Sequence, residues 1–247
     1  MLEPLPFSRG PLLYQGKAKQ VYATEDPTQI LIFYTDGATA FNGLKKAEIA
    51  NKGVINCKIS AFFMARVQAA GVPTAFVRNV SDNEQLCKKV EIIPVEVVIR
   101  NVVAGGLAKK LGLPEGQRLP APLIEHFYKS DALNDPQINE ETAVLLGWAK
   151  PWELLAMRDY ALKVNEVLLA FWGDLGVDLV DFKLEFGRIE AGGTTAVLLA
   201  DEITPDGSRL WDRATGRKLD KDVFRRDLGD LSTTYREVYR RIFGVEL

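Results

Sequence analysis

Charged and apolar residues alternate between positions 179 and 187, in the sequence Leu-Val-Asp-Phe-Lys-Leu-Glu-Phe-Gly. Because successive side chains of a β-strand point to opposite faces, this period predicts a strand with one buried apolar face. The other face carries Asp181, Lys183 and Glu185. Carboxylates beside an ammonium group can bind a metal ion and phosphate oxygens, or they can form a solvated surface on which the charges pair with one another.

A glycine-rich break at residues 191–194 separates this strand from a β-rich run at 195–200, which predicts a β-hairpin. With a three-residue loop at 192–194, Glu185 lies opposite Asp201. Facing carboxylates repel each other, so we expect a cation between them, and oxygen ligands favour Mg²⁺. A two-residue loop instead shifts the register by one residue and places Asp201 on the other face.

A pair of lysines near the N-terminus, Lys17 and Lys19, follows Gly16 in a β-rich run. Side chains two residues apart project from the same face of a strand, and the glycine permits a close approach of the backbone. Such a pair suits phosphate oxygens. The alternative is an edge strand whose lysines protect it from pairing with another chain.

A site for an anion is also predicted after the apolar strand at 95–100, which ends in Arg100 and is followed by Gly105 and Gly106. Glycines between a strand and a helix leave backbone N–H groups free to bind an anion beside the arginine. The alternative is that the two glycines only form a turn.

Two stretches nearer the C-terminus carry further charged residues. A Pro-Asp-Gly turn places Asp206 and Arg209 next to the proposed metal strand, although many polar turns have no other role. The segment 220–243, which includes Arg225, has the pattern of a helix. Its arginines are interspersed with acids, which is typical of a solvated helix face.

The composition is that of a globular protein, with 247 residues, of which 47% are hydrophobic and 26% charged. This length suffices for a large core in one domain or in two packed lobes. The strand-rich part up to about residue 99 and the mixed remainder predict two lobes with a ligand cleft between them. The net charge of -2 disfavours a nucleic-acid-binding protein, which is usually basic.

Neither a membrane segment nor a redox or zinc site is predicted. No apolar run approaches the ~20 residues that span a bilayer, and the first residues lack a leader pattern, so we expect a cytoplasmic protein. Cys57 and Cys87 are too few and too far apart for a disulfide framework or a zinc site. His126 is the only histidine, so acid–base chemistry falls mostly to Asp, Glu and Lys.

Together, these motifs resemble those of the phosphoribosylaminoimidazole-succinocarboxamide synthase (SAICAR synthetase) family. They occur in the family's order and cover the chain from about Tyr14 to Arg225. A single short motif would mean little, but four in order are hard to obtain by chance. The matching stretches are residues 16–19 (Gly-Lys-Ala-Lys), 93–101 (Ile-Pro-Val-Glu-Val-Val-Ile-Arg-Asn), 179–187, and 201–212 (Asp-Glu-Ile-Thr-Pro-Asp-Gly-Ser-Arg-Leu-Trp-Asp).

The resemblance implies a two-lobed α+β ligase fold with ATP in the cleft. Residues 1–99 would form a β-rich lobe resembling the small lobe of protein kinases, and residues 100–247 a larger α+β lobe. The implied activity is the ATP- and Mg²⁺-dependent joining of L-aspartate to the carboxylate of carboxyaminoimidazole ribonucleotide in purine biosynthesis. The implied partners are these small molecules and a second copy of the chain in a dimer, with no nucleic acid and no membrane.

The resemblance also implies roles for individual residues. The residues expected to bind ATP are Lys17, Lys19, Lys129 and Lys183, with Ile92 lining the adenine pocket. Those expected to hold Mg²⁺ are Glu185 and Asp201. Those expected to bind the ribonucleotide are Arg100, Gly106, Asp181, Asp206, Arg209 and Arg225. Those expected to take part in catalysis are Lys17, Lys19, Asp181 and Lys183.

Two positions depart from the family pattern. Gly106 replaces a serine expected on the ribonucleotide phosphate, and Asn42 replaces a frequent aspartate. The group that takes the proton from the aspartate amine is open, with Asp36 and Asp206 as candidates. Two other functions remain possible from the sequence: a small-molecule kinase on the same two-lobed plan, and a non-catalytic nucleotide-binding protein.

Overall fold

The computed structural model of the protein describes residues 9–40 and 43–247, so Asn42 lies outside the described residues. Within them the chain forms fourteen β-strands and six α-helices. The strands are β1 (Leu12–Gln15), β2 (Lys19–Ala23), β3 (Gln29–Tyr34), β4 (Gly37–Ala40), β5 (Lys45–Glu48), β6 (Phe76–Ser81), β7 (Glu84–Lys88), β8 (Glu91–Ile92), β9 (Val95–Val102), β10 (Arg118–Tyr128), β11 (Gln137–Ile138), β12 (Val177–Ala191), β13 (Thr194–Ala200) and β14 (Ser208–Asp212). The helices are α1 (Lys52–Ala69), α2 (Gly105–Leu111), α3 (Glu140–Leu145), α4 (Pro151–Asp174), α5 (Asp222–Arg225) and α6 (Leu231–Phe243).

The first sheet contains five antiparallel strands in the order β1-β2-β3-β7-β6. Helix α1 packs against β3, β6 and β7 of this sheet. Lys19 is the first residue of β2 and lies opposite the buried Tyr34 of β3. The sheet and α1 therefore fix the backbone of one of the two predicted phosphate-binding lysines.

The second sheet is organised around β12, which pairs with β9, β14, β8 and β13 along its length. Phe182, Leu184 and Phe186 are buried on one face of this strand, as their alternation with charged residues predicted. Asp181 lies opposite both Arg100 of β9 and Arg209 of β14. The pairing of three strands thus brings together charged residues from distant parts of the sequence.

The hairpin between β12 and β13 has a two-residue loop, Gly192 and Gly193, and the prediction that Glu185 lies opposite Asp201 is wrong. Glu185 pairs with Ala200. Both loop glycines have positive φ, 59° and 81°, which short hairpin turns require at their central residues. Asp201 follows the end of β13 with a φ of 55°.

The main hydrophobic core lies between the second sheet and helices α1 and α4, and α6 packs on α1. It includes residues from both halves of the chain, such as Phe63 of α1 and Trp172 of α4. Residue 99 lies inside β9, and the division into lobes at 1–99 and 100–247 stays a prediction. No helix among the described residues is long and apolar enough to cross a membrane.

The predicted C-terminal helix at 220–243 is two helices, α5 and α6. Between them Asp227 and Gly229 adopt positive φ values of 52° and 150°, which a continuous α-helix does not allow. Asp230 then caps α6 by accepting the backbone N–H of Thr233 at 2.8 Å. Because of this break, Arg225 belongs to the short helix α5 and is set apart from the arginines of α6.

Candidate functional site

Lys19 lies between two carboxylates that follow β13. Its Nζ donates to the carboxylate of Asp201 and lies 3.0 Å from Oε1 of Glu202. Burial by itself lowers the pKa of Lys19, but the two carboxylates outweigh it and the pKa is raised well above its usual value. Lys19 and Asp201 were predicted from sequence. Glu202 was missed, although it follows Asp201 directly in the motif.

A second cluster of lysines and carboxylates surrounds Lys183 of β12. Its Nζ lies 2.6 Å from Oε1 of Glu185 and 2.7 Å from Oε1 of Glu96. Lys129 lies 2.8 Å from the same Glu185 oxygen. The buried Glu96 was not predicted from the sequence, although Glu96 and Arg100 are an even number of residues apart in β9 and therefore lie on the same face of the strand.

The lysines keep Glu185 ionised. Its burial raises the carboxyl pKa, but Lys183 and Lys129 outweigh this effect and lower the pKa to about 2. Lys183 in turn has a raised pKa, since Glu185, Asp201 and Glu96 outweigh its burial. Asp201 directly follows Ala200, the residue paired with Glu185, so the two lysine clusters adjoin.

The donor atoms of Glu185 and Asp201 suit Mg²⁺, because both are carboxylates and Asp201 follows the residue that pairs with Glu185. Among residues 9–40 and 43–247, no group of three acidic, histidine or cysteine side chains is arranged to hold a metal alone. Mg²⁺ commonly binds one or two protein carboxylates and completes its coordination with water and substrate phosphates. The residues therefore fit a metal that is shared with a phosphorylated substrate.

Arginines and carboxylates alternate beside these clusters. Asp181 accepts from Nη1 of Arg100 at 2.6 Å and from Nη1 of Arg209 at 2.9 Å. Burial raises the pKa of Asp181. The two guanidinium groups oppose this effect but do not outweigh it, so the pKa stays raised. Two further carboxylates, which were not predicted from the sequence, accept hydrogen bonds from these arginines. Glu125 accepts from Nε of Arg100, and Asp222 accepts from both Arg209 and Arg225.

The glycine pair lies against one of these arginines. A Cβ built on Gly105 would lie 2.6 Å from Nη2 of Arg209, and the φ of Gly105 is 55°, so only glycine fits there. A Cβ on Gly106 would meet no atom within 4 Å, which leaves space beside its backbone. The arginine beside the glycine pair is therefore Arg209, which contacts Gly105, and not Arg100 as the sequence suggested. A role for Gly106 in binding an anion stays a prediction.

Lys17 pairs with a different carboxylate from those that contact Lys19. Its Nζ is 2.7 Å from Oδ1 of Asp131, and both side chains are largely exposed. Lys17 lines an open cavity of about 670 Å³ together with Gly16, Thr39 and Lys46. Ile92 is partly exposed on β8, opposite Gly187 of β12.

The two candidate proton acceptors are already bonded within the protein. Asp36 accepts the backbone N–H of Gly53 at 2.9 Å at the start of α1. Asp206 is enclosed by a different set of residues: Lys52, whose Nζ lies 2.6 Å from Oδ2, Lys221, whose Nζ lies 3.6 Å from Oδ2, and the hydroxyl of Tyr235. Asp206 thus joins α1, the residue that precedes α5, and α6, and it has little access to solvent.

We expect Asp206→Asn to lower the free energy of unfolding by about 3–5 kcal/mol at pH 7, because it leaves the fully buried Lys52 without its counter-charge. Burial raises the pKa of Asp206, but Lys52 and Lys221 outweigh it and the pKa is lowered. The pKa of Asp206 is lower in the folded protein than in the unfolded chain, where it is about 3.9, so ionised Asp206 stabilises the folded protein at pH values above about 3.9. This stabilisation is lost as the pH falls through the pKa of the folded state.

Urea unfolding at pH 7 and pH 3 measures this effect, and the difference between the Asp206 variant and the unmodified protein should shrink at the lower pH. Asp227→Asn is the matched control, since Asp227 pairs with Lys45 but its side chain is 84% exposed. We expect that control to change stability by less than about 1 kcal/mol. Equal stability of the Asp206 variant and the unmodified protein at pH 7 would contradict the argument.

Clusters of lysines, carboxylates and arginines on adjoining strands have the chemistry of an enzyme site for anionic, phosphorylated small molecules. The sequence profile of the SAICAR synthetase family matches residues 12–242. The phosphoribosylaminoimidazole-succinocarboxamide synthase of Magnetococcus marinus is 50% identical to this chain over 97% of it and 98% of its own length.

Solved structures agree with this match. A phosphoribosylaminoimidazole-succinocarboxamide synthase from Ehrlichia chaffeensis superposes with a TM-score of 0.92 at 40% identity, covering 96% of this chain and 100% of its own. A SAICAR synthetase in complex with ADP superposes with a TM-score of 0.90 at 45% identity, covering 95% and 98%. The chain belongs to the SAICAR synthetase family, as its motifs predicted. The α+β class is confirmed, and the likeness to a kinase small lobe stays a prediction.

Proposed function

We propose that the protein is an ATP-dependent ligase that joins L-aspartate to the carboxylate of carboxyaminoimidazole ribonucleotide, forming SAICAR, ADP and phosphate. One observation carries the proposal: the lysine–carboxylate clusters around Lys19 and Lys183 adjoin arginines that converge on Asp181. The name shared by the relatives and the ADP complex of one family member support it. Location in the cytoplasm and assembly into a dimer stay predictions.

The lysines form the ATP end of the proposed site. Lys19 and Lys17 bind the phosphates, Lys183 and Lys129 contact the nucleotide, and Ile92 lines the adenine pocket. Lys19 and Lys183 each contact two carboxylates, so they remain ammonium ions at neutral pH and attract a polyphosphate. Lys17 would exchange its exposed partner Asp131 for a phosphate, at small cost because exposed ion pairs are weak.

The arginines form the ribonucleotide end. Arg100, Arg209 and Arg225 supply planar guanidinium groups suited to phosphate and carboxylate oxygens. Asp181 orients two of them and, as an acceptor, suits a hydroxyl or amine of the substrate. Gly105 lies against Arg209, and the adjacent Gly106 has open space beside it for a substrate group. Asp206, which was expected to bind the ribonucleotide, would instead support the site through its contacts with Lys52 and Tyr235.

The reaction needs an activated carboxylate, because a carboxylate ion is a poor electrophile. In the first step a carboxylate oxygen of the ribonucleotide attacks the γ-phosphorus of ATP, and the bond from that phosphorus to the β,γ-bridging oxygen breaks to release ADP. In the second step the aspartate amine attacks the acyl carbon, phosphate leaves and the nitrogen loses a proton. Both steps depend mainly on alignment and on neutralising negative charge.

The chain's own residues would perform this neutralisation. Lys19 and Lys183 would counter charge on the transferred phosphoryl group and on the leaving ADP. Glu185 and Asp201 would hold Mg²⁺, which when bound supplies further positive charge to the phosphate oxygens. No nucleophilic side chain is required, in keeping with a chain that has one histidine and two separated cysteines.

The direct test is an assay with carboxyaminoimidazole ribonucleotide, ATP, Mg²⁺ and L-aspartate, each omitted in turn, with SAICAR and ADP measured separately. We expect ADP and SAICAR in equal amounts, and SAICAR only when every component is present. Rapid ADP formation without aspartate would instead indicate a small-molecule kinase. Absence of turnover with all components present would indicate a nucleotide-binding protein without catalytic activity.

The glycine that replaces the family serine leads to a separate prediction. We expect Gly106→Ser to fold normally, because a Cβ at this position meets no atom within 4 Å and Gly106 does not have a positive φ. The added hydroxyl should lower the KM for the ribonucleotide by about 3- to 10-fold, the effect of roughly one net hydrogen bond. Gly106→Ala, which adds the Cβ without the hydroxyl, is the control and should leave KM unchanged. A serine variant with the alanine variant's KM would refute the expectation.

A further inference from the structure

Asp222 connects two of the arginines assigned to the ribonucleotide and has no role so far. Its Oδ2 accepts from Nε of Arg209 at 3.0 Å, and its Oδ1 accepts from Nη1 of Arg225 at 2.7 Å. The residue is 4% exposed, whereas the side chains of Arg209 and Arg225 are 20% and 31% exposed. The carboxylate is therefore enclosed behind guanidinium groups that solvent can still reach.

The backbone around Asp222 is tied to the strand that carries Arg209. Buried Asp220 accepts the N–H of Leu210 in β14 at 2.8 Å with one oxygen and the N–H of Asp222 at 2.7 Å with the other. This connection fixes the start of α5 against β14. Asp222 is thus held in place independently of the arginines, as a residue that orients others must be.

Within residues 9–40 and 43–247, donors on both arginines have no hydrogen-bond acceptor once the bonds to Asp222 and Asp181 are made. Arg209 uses Nε for Asp222 and Nη1 for Asp181, which leaves the donors of Nη2 beside Gly105. Arg225 uses Nη1, which leaves Nε and Nη2. A guanidinium group has five donors in a fixed plane, so bonds on one side determine the direction in which the remaining donors point.

We propose that Asp222 is a positioning residue that holds Arg209 and Arg225 at a fixed separation, so that both guanidinium groups bind the phosphate group of the ribonucleotide. The inference rests on the proposed function. In this role Asp222 does not touch the substrate and acts only through the two arginines. Without the carboxylate, each arginine must lose side-chain freedom when the substrate binds, and this entropy opposes binding.

The test compares Asp222→Asn with a matched control, Asp178→Asn. Asp178 also bridges two arginines, accepting from Nη2 of Arg118 at 2.9 Å and from Nε of Arg213 at 3.0 Å. Binding of SAICAR and of ADP is measured by calorimetry on the full chain, together with KM for each substrate. We expect the Asp222 variant to bind SAICAR at least about tenfold more weakly, ~1.4 kcal/mol, with ADP affinity within about twofold. The control should change neither affinity.

A double variant separates positioning from a general structural effect. If Asp222 acts through Arg225, Asp222→Asn combined with Arg225→Gln weakens SAICAR binding by less than the product of the single effects. Multiplicative effects, unchanged SAICAR binding in Asp222→Asn, or equal weakening of SAICAR and ADP would each overturn the inference. If the asparagine variant does not fold, Asp222→Glu replaces it, since it keeps the charge but displaces both guanidinium groups. Failure of the unmodified protein to make SAICAR would count against the proposed function instead.

Discussion

Glu185→Gln is expected to lower SAICAR formation by at least about 10²- to 10³-fold, the loss typical when one electrostatic partner of such a transition state is removed. Glu185 lies within 2.8 Å of Lys129 and 2.6 Å of Lys183, and its pKa of about 2 keeps it ionised at neutral pH. The amide has the same shape but no charge. It can neither hold a cation nor balance the two lysines.

The glutamine variant should remain folded, because its amide oxygen still accepts one lysine hydrogen bond and Glu96 still pairs with Lys183. We expect a loss of about 1–3 kcal/mol in the free energy of unfolding. The assay measures SAICAR directly, and thermal unfolding is followed on the same samples. Glu190→Gln is the control, since Glu190 lies on the same strand but is exposed and accepts a hydrogen bond from the hydroxyl of Thr195. Near-normal turnover by a folded Glu185 variant would refute the assignment.

Lys19→Met is expected to reduce kcat/KM for ATP by about 10²- to 10³-fold. Methionine keeps much of the side chain's length and apolar contact but removes the charge. The variant leaves Asp201 and Glu202 facing the incoming phosphates without the ammonium group that now separates them. Two carboxylates close together repel each other and repel a polyphosphate. Calorimetric binding of ADP should weaken in parallel.

Two comparisons make this experiment specific. Lys88→Met, an exposed lysine in β7 of the same sheet, should leave kcat/KM within about twofold, as expected for a surface position. Lys17→Met should have a smaller effect than Lys19→Met, because Lys17 is exposed and contacts the exposed Asp131. An equal loss in the Lys17 and Lys19 variants, or no loss in the Lys19 variant, would contradict the proposed difference between the two lysines.

The faces of β12 could be predicted from the sequence, because the alternation of side chains is a local property of an extended backbone. Phe182 and Leu184 are buried as predicted, and Lys183 projects among carboxylates. The hairpin register could not be predicted in the same way. Residues 197–200 are all buried, so their pattern contains no alternation that distinguishes one register from the next.

The family and the types of residue in the site were also determined by the sequence, since both depend on short motifs that the chain contains in order. The partners of those residues were decided by the tertiary structure alone. Lys19 and Asp201 are 182 residues apart, and Arg100 and Asp181 are 81 apart.

Glu96, Glu125 and Asp222 were missed because each acquires its role only where separate strands or a short helix bring it against a lysine or an arginine. An isolated acidic residue in a sequence does not indicate which cation it will meet. That choice depends on strand pairing and on core packing, which align backbones from distant parts of the chain and thereby fix the distances between their charges.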